Sequence, residues 1–280
     1  MRPTWHFVAA EDIRWMLMLS SERIKAAVMS YAKGHFGKIE KTLFTRYLDQ
    51  IGKILEGYKS LTKQEVTTEL QKSGILPTID HVNLFLTWGE VEGIVCSGID
   101  KGKKTTYALL DERVPPTREL CREEALARLA SRYFQSHSPA QLQDFVWWSG
   151  LTATECRLAI NLIKTELITE TFDSREYFIH QSWKGKNESK PVLRLLPAFD
   201  EYLISYKNRT DVLPLEHHPK AFNRFGTFYP VILYNGKIIG NWSRSIKKKH
   251  HSNRNGLFRE EAPHSSEINP AGRSADRRFL

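Results

Sequence analysis

Two stretches of the chain share one layout of polar and apolar positions. In the first, Thr62-Lys-Gln-Glu65 precedes the apolar Val66 and Leu70 and then Ser73-Gly74-Ile75. In the second, 76 residues on, Ser138-Pro-Ala-Gln141 precedes Leu142 and Val146 and then Ser149-Gly150-Leu151. Apolar residues four apart mark one buried helical face. Thr62 and Ser138 stand where an N-cap hydroxyl accepts an orphan amide, and Glu65 and Gln141, three residues on, complete capping boxes. Pro139 falls at the first helical position, where its missing N–H costs nothing. Gly74 and Gly150 supply the left-handed residue that ends a helix. A third box, Thr152 to Glu155, opens another helix directly. Helix, glycine turn, helix is the helix-turn-helix pattern.

The flanks extend each copy into a unit. An amphipathic helix is expected before each pair, at about 38–55 and 118–134. A hairpin is expected after each. One runs 94–99, turns at 100–103 and returns over 104–110; the other runs 167–172, turns near Asp173 and Ser174 and returns over 175–181. Three helices and a hairpin make a winged helix. The C-terminal third changes character. Val192 to Leu196 reads as a strand stopped by Pro197, and Phe199 to Tyr206 as a short helix. Tyr229 to Tyr234 and Lys237 to Trp242 alternate around Asn235-Gly236, the strongest two-residue hairpin signal. A small β-rich domain, a barrel in outline, fits there. The pattern therefore predicts a mixed α+β fold, mainly α, with tandem winged-helix units followed by a β-rich domain. The expected partition is 1–37 as the remnant of a first winged-helix unit, 38–114 and 117–182 as two further units, 190–249 as the β-rich domain, and 250–280 as a disordered tail. Pro115-Pro116 marks the boundary between the two repeated units.

Composition narrows the partner. The net charge is +9, which suggests a polyanion. Most of that excess lies in 236–280, where ten Lys/Arg face four Asp/Glu. No run approaches the ~20 apolar residues of a membrane helix, and Met1-Arg-Pro-Thr-Trp-His offers no apolar leader, so a cytoplasmic address and no membrane partner are expected. The three cysteines, Cys96, Cys121 and Cys156, are scattered and read as reduced, mostly buried thiols. No metal and no cofactor are expected, and the chain reads as a monomer.

The candidate DNA contacts are Lys101, Lys103 and Lys104 around Gly102 at the first hairpin tip, set against the ordinary reading of a solvated tip. Arg157 joins them because Arg157, Asn161 and Lys164 share a helix face. The helix of the first copy that would enter a groove has no Lys or Arg from Ser73 to Asp100, which argues against a simple repressor. Three residues are candidate catalytic groups. His6 lies in a strand-like run, Thr4 to Val8; a core histidine is the competing reading. Asp200-Glu201 follow Pro197; there, acids at the positive end of a helix dipole compete with a polar cluster facing a cleft. Trp147 and Trp148, with Phe145, read as core. In Gln141-x-Gln143 the capping role accounts for Gln141.

Several longer phrases then stand together: Arg2-Pro-Thr-Trp-His-Phe-Val8, Glu11-Asp-Ile-Arg-Trp15, Asp144-Phe-Val-Trp-Trp-Ser-Gly-Leu151, Leu195-Leu-Pro-Ala-Phe-Asp-Glu-Tyr-Leu203, Tyr206-Lys-Asn-Arg209 and Asn235-Gly-Lys-Ile-Ile-Gly-Asn-Trp242. From Arg2 to about Lys249 the chain resembles the AlkZ/YcaQ-like winged-helix DNA glycosylases, a bacterial family. The resemblance implies tandem winged helices and a β-barrel, double-stranded DNA carrying alkylated or crosslinked purines as partner, and excision or unhooking by a positioned water attacking C1′. The family's Gln-x-Gln or Gln-x-Asp motif belongs upstream of the Thr4-Trp-His-Phe-Val8 strand, so the resemblance implies a chain truncated at its N-terminus and inactive as given. It implies a mis-called start or a frameshift near Lys249, with Trp5, Phe7 and Trp15 left partly exposed. The competing reading is a non-catalytic DNA-binding module or transcription regulator.

Overall fold

The computed structural model describes residues 6–37, 41–74, 78–185, 190–247 and 250–257. The chain forms two compact units, one of residues 1–132 with 149–164, the other of residues 133–148 with 165–280.

The first unit begins with α1 (Ile13–Phe36) and α2 (Lys41–Leu55). β1 (Leu61–Thr62) leads into α3 (Lys63–Lys72) and α4 (Ile79–Val91). β2 (Val95–Ser97), β3 (Thr106–Leu109) and the short α5 (Leu110–Arg113) follow. The unit also takes α6 (Arg122–His137) as far as Arg132, together with α8 (Ala153–Leu162). Phe44, Leu48, Ile51 and Leu55 of α2 recur at helical spacing and meet Val66 and Leu70 of α3 and Val82, Phe85 and Leu86 of α4. Each such side chain contributes about 1.5–3 kcal/mol by leaving water. Gly89 lets α4 close on this core: a Cβ there would stand 2.9 Å from Leu48 Cδ2 and 3.0 Å from Val95 Cγ2.

The first capping box forms as the spacing predicts. Thr62 Oγ1 accepts from the Glu65 amide at 3.3 Å, and Glu65 Oε2 accepts from the Thr62 amide at 2.7 Å. Gly74 ends the helix at φ 76°. The first hairpin also forms, with Ser97 opposite Tyr107 and a bridge between Lys101 and Lys104. β1 adds a third strand, Leu61 opposite Tyr107. The box at Thr152 and Glu155 caps α8.

The second unit takes the last turn of α6 from Tyr133, then α7 (Leu142–Ser149) as far as Trp148, and the hairpin β4 (Leu167–Phe172) and β5 (Arg175–His180). β6 (Leu193–Leu196), α9 (Glu201–Ile204), α10 (His218–Ala221), β7 (Val231–Tyr234), β8 (Lys237–Lys247) and β9 (His250–Leu257) complete it. The second hairpin turns where expected, with positive φ at Asp173 and Ser174. Asn235 and Gly236, at φ 46° and 78°, form the predicted tight turn between β7 and β8. Leu203, Ile204, Leu213, Ala221, Phe228, Val231 and Ile238 form this unit's core.

Several expectations are corrected. Ser138 does not cap α7. Its Oγ donates to the Phe134 carbonyl and accepts from the His180 amide at 2.8 Å, and the Ser138–Pro139 peptide is cis. Pro139 precedes the helix, because Ala140 pairs with Phe178 of β5 and α7 starts only at Leu142. The acid that serves α7 is Asp144, whose Oδ2 accepts from the Gln141 amide at 3.0 Å. Among the described residues the β-rich part is an open antiparallel sheet in the order β6-β7-β8-β9, with no pairing of its edge strands into a barrel. Order does not end at Lys249: residues 250–257 pair with β8, and 258–280 lie outside the described residues. Residues 6–8 form no strand, and Thr4 and Trp5 lie outside the described residues. Partial exposure is expected of Phe7 and Trp15; Phe7 is fully exposed, whereas Trp15 is only 5% exposed, its indole N–H donating to Asp12 at 3.0 Å. Cys156 is buried, yet Cys121 is exposed.

Candidate functional site

The acid pair after Pro197 divides its roles. Asp200 is the N-cap of α9, its carboxylate accepting from the Tyr202 amide at 2.9 Å. Glu201, one residue on, stands in a cluster of aromatic and polar side chains within the second unit. Its Oε2 accepts from the Trp148 indole N–H at 3.2 Å and from the Ser205 hydroxyl, and lies 3.9 Å from His137 Nε2. His137 Nε2 is 3.1 Å from Ser205 Oγ, and its Nδ1 is 2.7 Å from Ser136 Oγ. The Tyr133 ring stacks on the imidazole at 4.7 Å, and the Tyr206 hydroxyl donates to the His137 carbonyl at 3.0 Å.

Ser, His and Glu in contact invite a nucleophile reading, which burial rejects. Ser205 is 0% exposed, so no substrate carbonyl or sugar carbon reaches its Oγ. The serine also touches both partners, whereas a catalytic relay needs the acid on the far nitrogen of the imidazole. Glu201 keeps a half-exposed carboxylate and is the member able to hold a water. Burial, then the charges of Asp144, Tyr202 and Glu201, push the Tyr206 phenol up to about 12, so it stays a neutral donor.

The aromatics beside this cluster correct a second expectation. Phe145 is fully buried, but Trp147 is 37% exposed and Trp148 is half-buried, so the pair is not simply core. Sequence reading did not single out His137, Tyr133 or Ser205. Tyr133 and His137 lie four apart at the end of α6 and Ser205 lies four after Glu201 at the end of α9, but only the fold brings the two helix ends together.

The candidate DNA contacts lie in the first unit. Lys101, Lys103 and Lys104 are gathered at the β2–β3 tip, all exposed. Lys101 is not a free cation: its Nζ sits 2.8 and 2.9 Å from the Glu65 oxygens. The Lys101 ammonium, with the Thr62 amide and hydroxyl, holds the Glu65 carboxyl at about 2. Lys103 and Lys104 form no ion pair among the described residues. Arg157 and Asn161 are exposed on α8, and Lys164 is exposed in the turn that follows it. His6 is exposed ahead of α1, outside any core. A cavity of about 370 Å³ in this unit, lined by Arg14, Trp15, Lys25, Glu92 and Arg118 among others, offers no chemistry of its own. Its cations are already paired, Arg14 to Asp111 at 2.8 Å, Lys25 to Glu92 at 3.0 Å and Arg118 to Glu124 at 2.6 Å. Among the described residues no cluster of His, Cys, Asp or Glu could hold a metal ion, and no helix is long and apolar enough to cross a membrane.

Comparisons with known proteins bear on both units. The model of the family described as DNA glycosylase AlkZ-like matches residues 1–260. A curated protein of Streptomyces sahachiroi, an interstrand DNA cross-link repair glycosylase, is 25% identical over 209 residues, which is 69% of this chain and 56% of the relative. The chain thus spans little more than half of that relative's length. The solved structure of the Streptomyces sahachiroi DNA glycosylase AlkZ superposes with a TM-score of 0.66 at 18% identity, over 91% of this chain and 70% of the other. At that identity the superposition speaks for the fold.

Proposed function

The chain belongs to the DNA glycosylase AlkZ-like family, and from that premise we propose that it grips double-stranded DNA bearing alkylated or crosslinked purines. The single observation that carries this reading is the family match across residues 1–260. In it, α2, α3 and α4 with the β2–β3 hairpin act as one winged helix, and α6, α7 and α8 with the β4–β5 hairpin act as another. Lys103 and Lys104 at the first hairpin tip and Arg157 on α8 contact phosphates; Lys101 takes part only by leaving Glu65. The reaction served is hydrolysis of an N-glycosidic bond by a held water, with no metal or cofactor and the protein acting as a monomer.

The one Gln-x-Gln run of this sequence is occupied structurally. Gln141 is buried at the start of α7, and Gln143 Nε2 donates to Gln141 Oε1 at 2.6 Å. We therefore expect these 280 residues to bind duplex DNA without releasing a base. The assay is release of 7-methylguanine from alkylated duplex, run beside a binding titration. Release would place the catalytic groups within this chain and make Glu201→Gln the first substitution, followed by Asp200→Asn and His6→Ala. Absence of binding at low salt would overturn the reading. Each phosphate contact adds about one unit to the salt slope of binding, so Lys103→Ala, Lys104→Ala and Arg157→Ala should each lower it by about that much. A sharp motif from random duplexes would favour a transcription regulator instead; no observation above favours that outcome.

A further inference from the structure

A second basic feature lies in the loop after α9, away from the hairpin tip in sequence and in the other unit. Asp144 is only 4% exposed. One of its oxygens accepts from the Gln141 amide at the start of α7, and the other accepts from the Lys207 amide at 2.8 Å. Arg209 completes the clamp: its Nη1 donates to the Lys207 carbonyl at 3.3 Å and its Nε to the Leu203 carbonyl at 2.6 Å. The Arg209 guanidinium itself is wedged among the rings of Trp147, Phe222 and Phe228, at 5.5, 5.2 and 5.2 Å from their centroids. Both backbone polar groups of Lys207 are thus held by charged side chains.

The side chain is held too. Lys207 Nζ lies 4.7 Å above the Trp147 ring, and that ring is fixed by its N–H donating to the Ile204 carbonyl at 2.9 Å. A cation over an indole face gains roughly 0.5–1 kcal/mol at an exposed site. Aromatic stacking orients the ammonium without cancelling its charge. Here Lys207 differs from Lys25, Lys72 and Lys101, which sit 3.0, 2.7 and 2.8 Å from carboxylate oxygens. No carboxylate lies within ion-pair distance of Lys207 among the described residues.

A buried carboxylate spent on fixing a loop, an exposed cation laid flat on an exposed indole, and no neutralising partner describe a preorganised anion contact. We propose that Lys207, seated on Trp147 and pinned by Asp144, binds a backbone phosphate of nucleic acid. The inference rests on the DNA-binding reading above and adds to it a contact in the second unit.

The test is the salt dependence of duplex binding by the full chain, comparing wild type with Lys207→Ala, Lys207→Arg, Asp144→Asn and, as a control from the same unit, Lys184→Ala. A lost phosphate contact lowers the slope by about one unit, so Lys207→Ala should lose about fourfold less affinity than wild type between 50 and 200 mM salt. Lys207→Arg should keep the slope, and Lys184→Ala should not change it. Asp144→Asn removes a negative charge, so unplaced electrostatics predicts tighter binding. Loss of the pinning predicts weaker binding, in a variant whose melting transition is checked alongside. A slope for Lys207→Ala equal to that of wild type or of Lys184→Ala overturns the proposal while leaving the DNA-binding reading intact. Wild type that fails to bind duplex at low salt overturns that reading, and the proposal with it.

Discussion

The two repeated stretches share one layout of capping, apolar and glycine positions and are built differently. In the first, Thr62 caps α3 and Glu65 returns the bond, while β1 runs directly into the cap and pairs with β3. In the second, the residue that pairs with the hairpin is Ala140 and the residue at the head of the helix is Gln141. The structural counterpart of Thr62-x-x-Glu65 is therefore Gln141-x-x-Asp144, three residues later than the lettering suggests. The glycines Gly74 and Gly150 remain in step, so α7 is two residues shorter than α3. Capping letters mark where a helix can begin; the pairing of the chain just before it decides where it does.

The contrast continues at the far end of each pair. Glu90 lies in the last turn of α4, half-buried and with no side-chain hydrogen bond among the described residues, and burial pushes its carboxyl up to about 7. Glu166, 76 residues on, has His180 Nε2 at 3.2 Å. The largest expected effect follows. A carboxyl raised from 4.5 to about 7 contributes stability that is full below pH 4.5 and lost as pH rises through 7. Glu90→Gln should remove that decline and stabilise the protein at pH 8 by up to about 3 kcal/mol, read from denaturant melts at pH 5 and pH 8. Equal melts for both proteins at pH 8 would mean Glu90 is solvated.

Next in size is Asp144→Ala, which leaves the Gln141 and Lys207 amides without their acceptor and should cost about 2 kcal/mol. A loss below about 0.5 kcal/mol would return the cap to Ser138. Gly74→Ala and Gly150→Ala force a side chain into left-handed backbone and should each cost about 1–2 kcal/mol; equal losses would confirm the one feature on which the copies agree. Thr62→Ala should cost about 1 kcal/mol and speed amide exchange in the first turn of α3. The smallest effect separates the copies most cleanly. Ser138→Ala should leave exchange in the first turn of α7 unchanged and raise it at the His180 amide, which Ser138 accepts.

Legibility followed the range of the forces involved. Both hairpins, the Asn235-Gly236 turn and two of the three capping boxes were readable, because each is decided within four residues. What failed depends on distant chain: the start of α7, set by Phe178, and the continuation of the sheet into β9, set by β8. α1 was not foreseen either, since its buried Trp15, Leu19 and Ala32 follow no single stripe. At the candidate site Glu201 is legible as an acid at a helix start, and Ser205 ends the same helix, but the histidine and tryptophan that complete its environment come from α6 and α7. Asp144 stands three residues after Gln141 at capping spacing, but alignment with the first copy points to Ser138 instead.

The bond between Lys101 and Glu65 makes one carboxylate serve two masters. It closes the amide end of α3 and anchors the hairpin tip. A polyanion that recruits Lys101 must take it from Glu65, and the helix then keeps its cap with one fewer restraint on the acid that forms it. Occupancy at the tip is in this way thermodynamically linked to the firmness of α3, so loosening the helix start should make the tip easier to capture, and capture should loosen the helix start by the same amount.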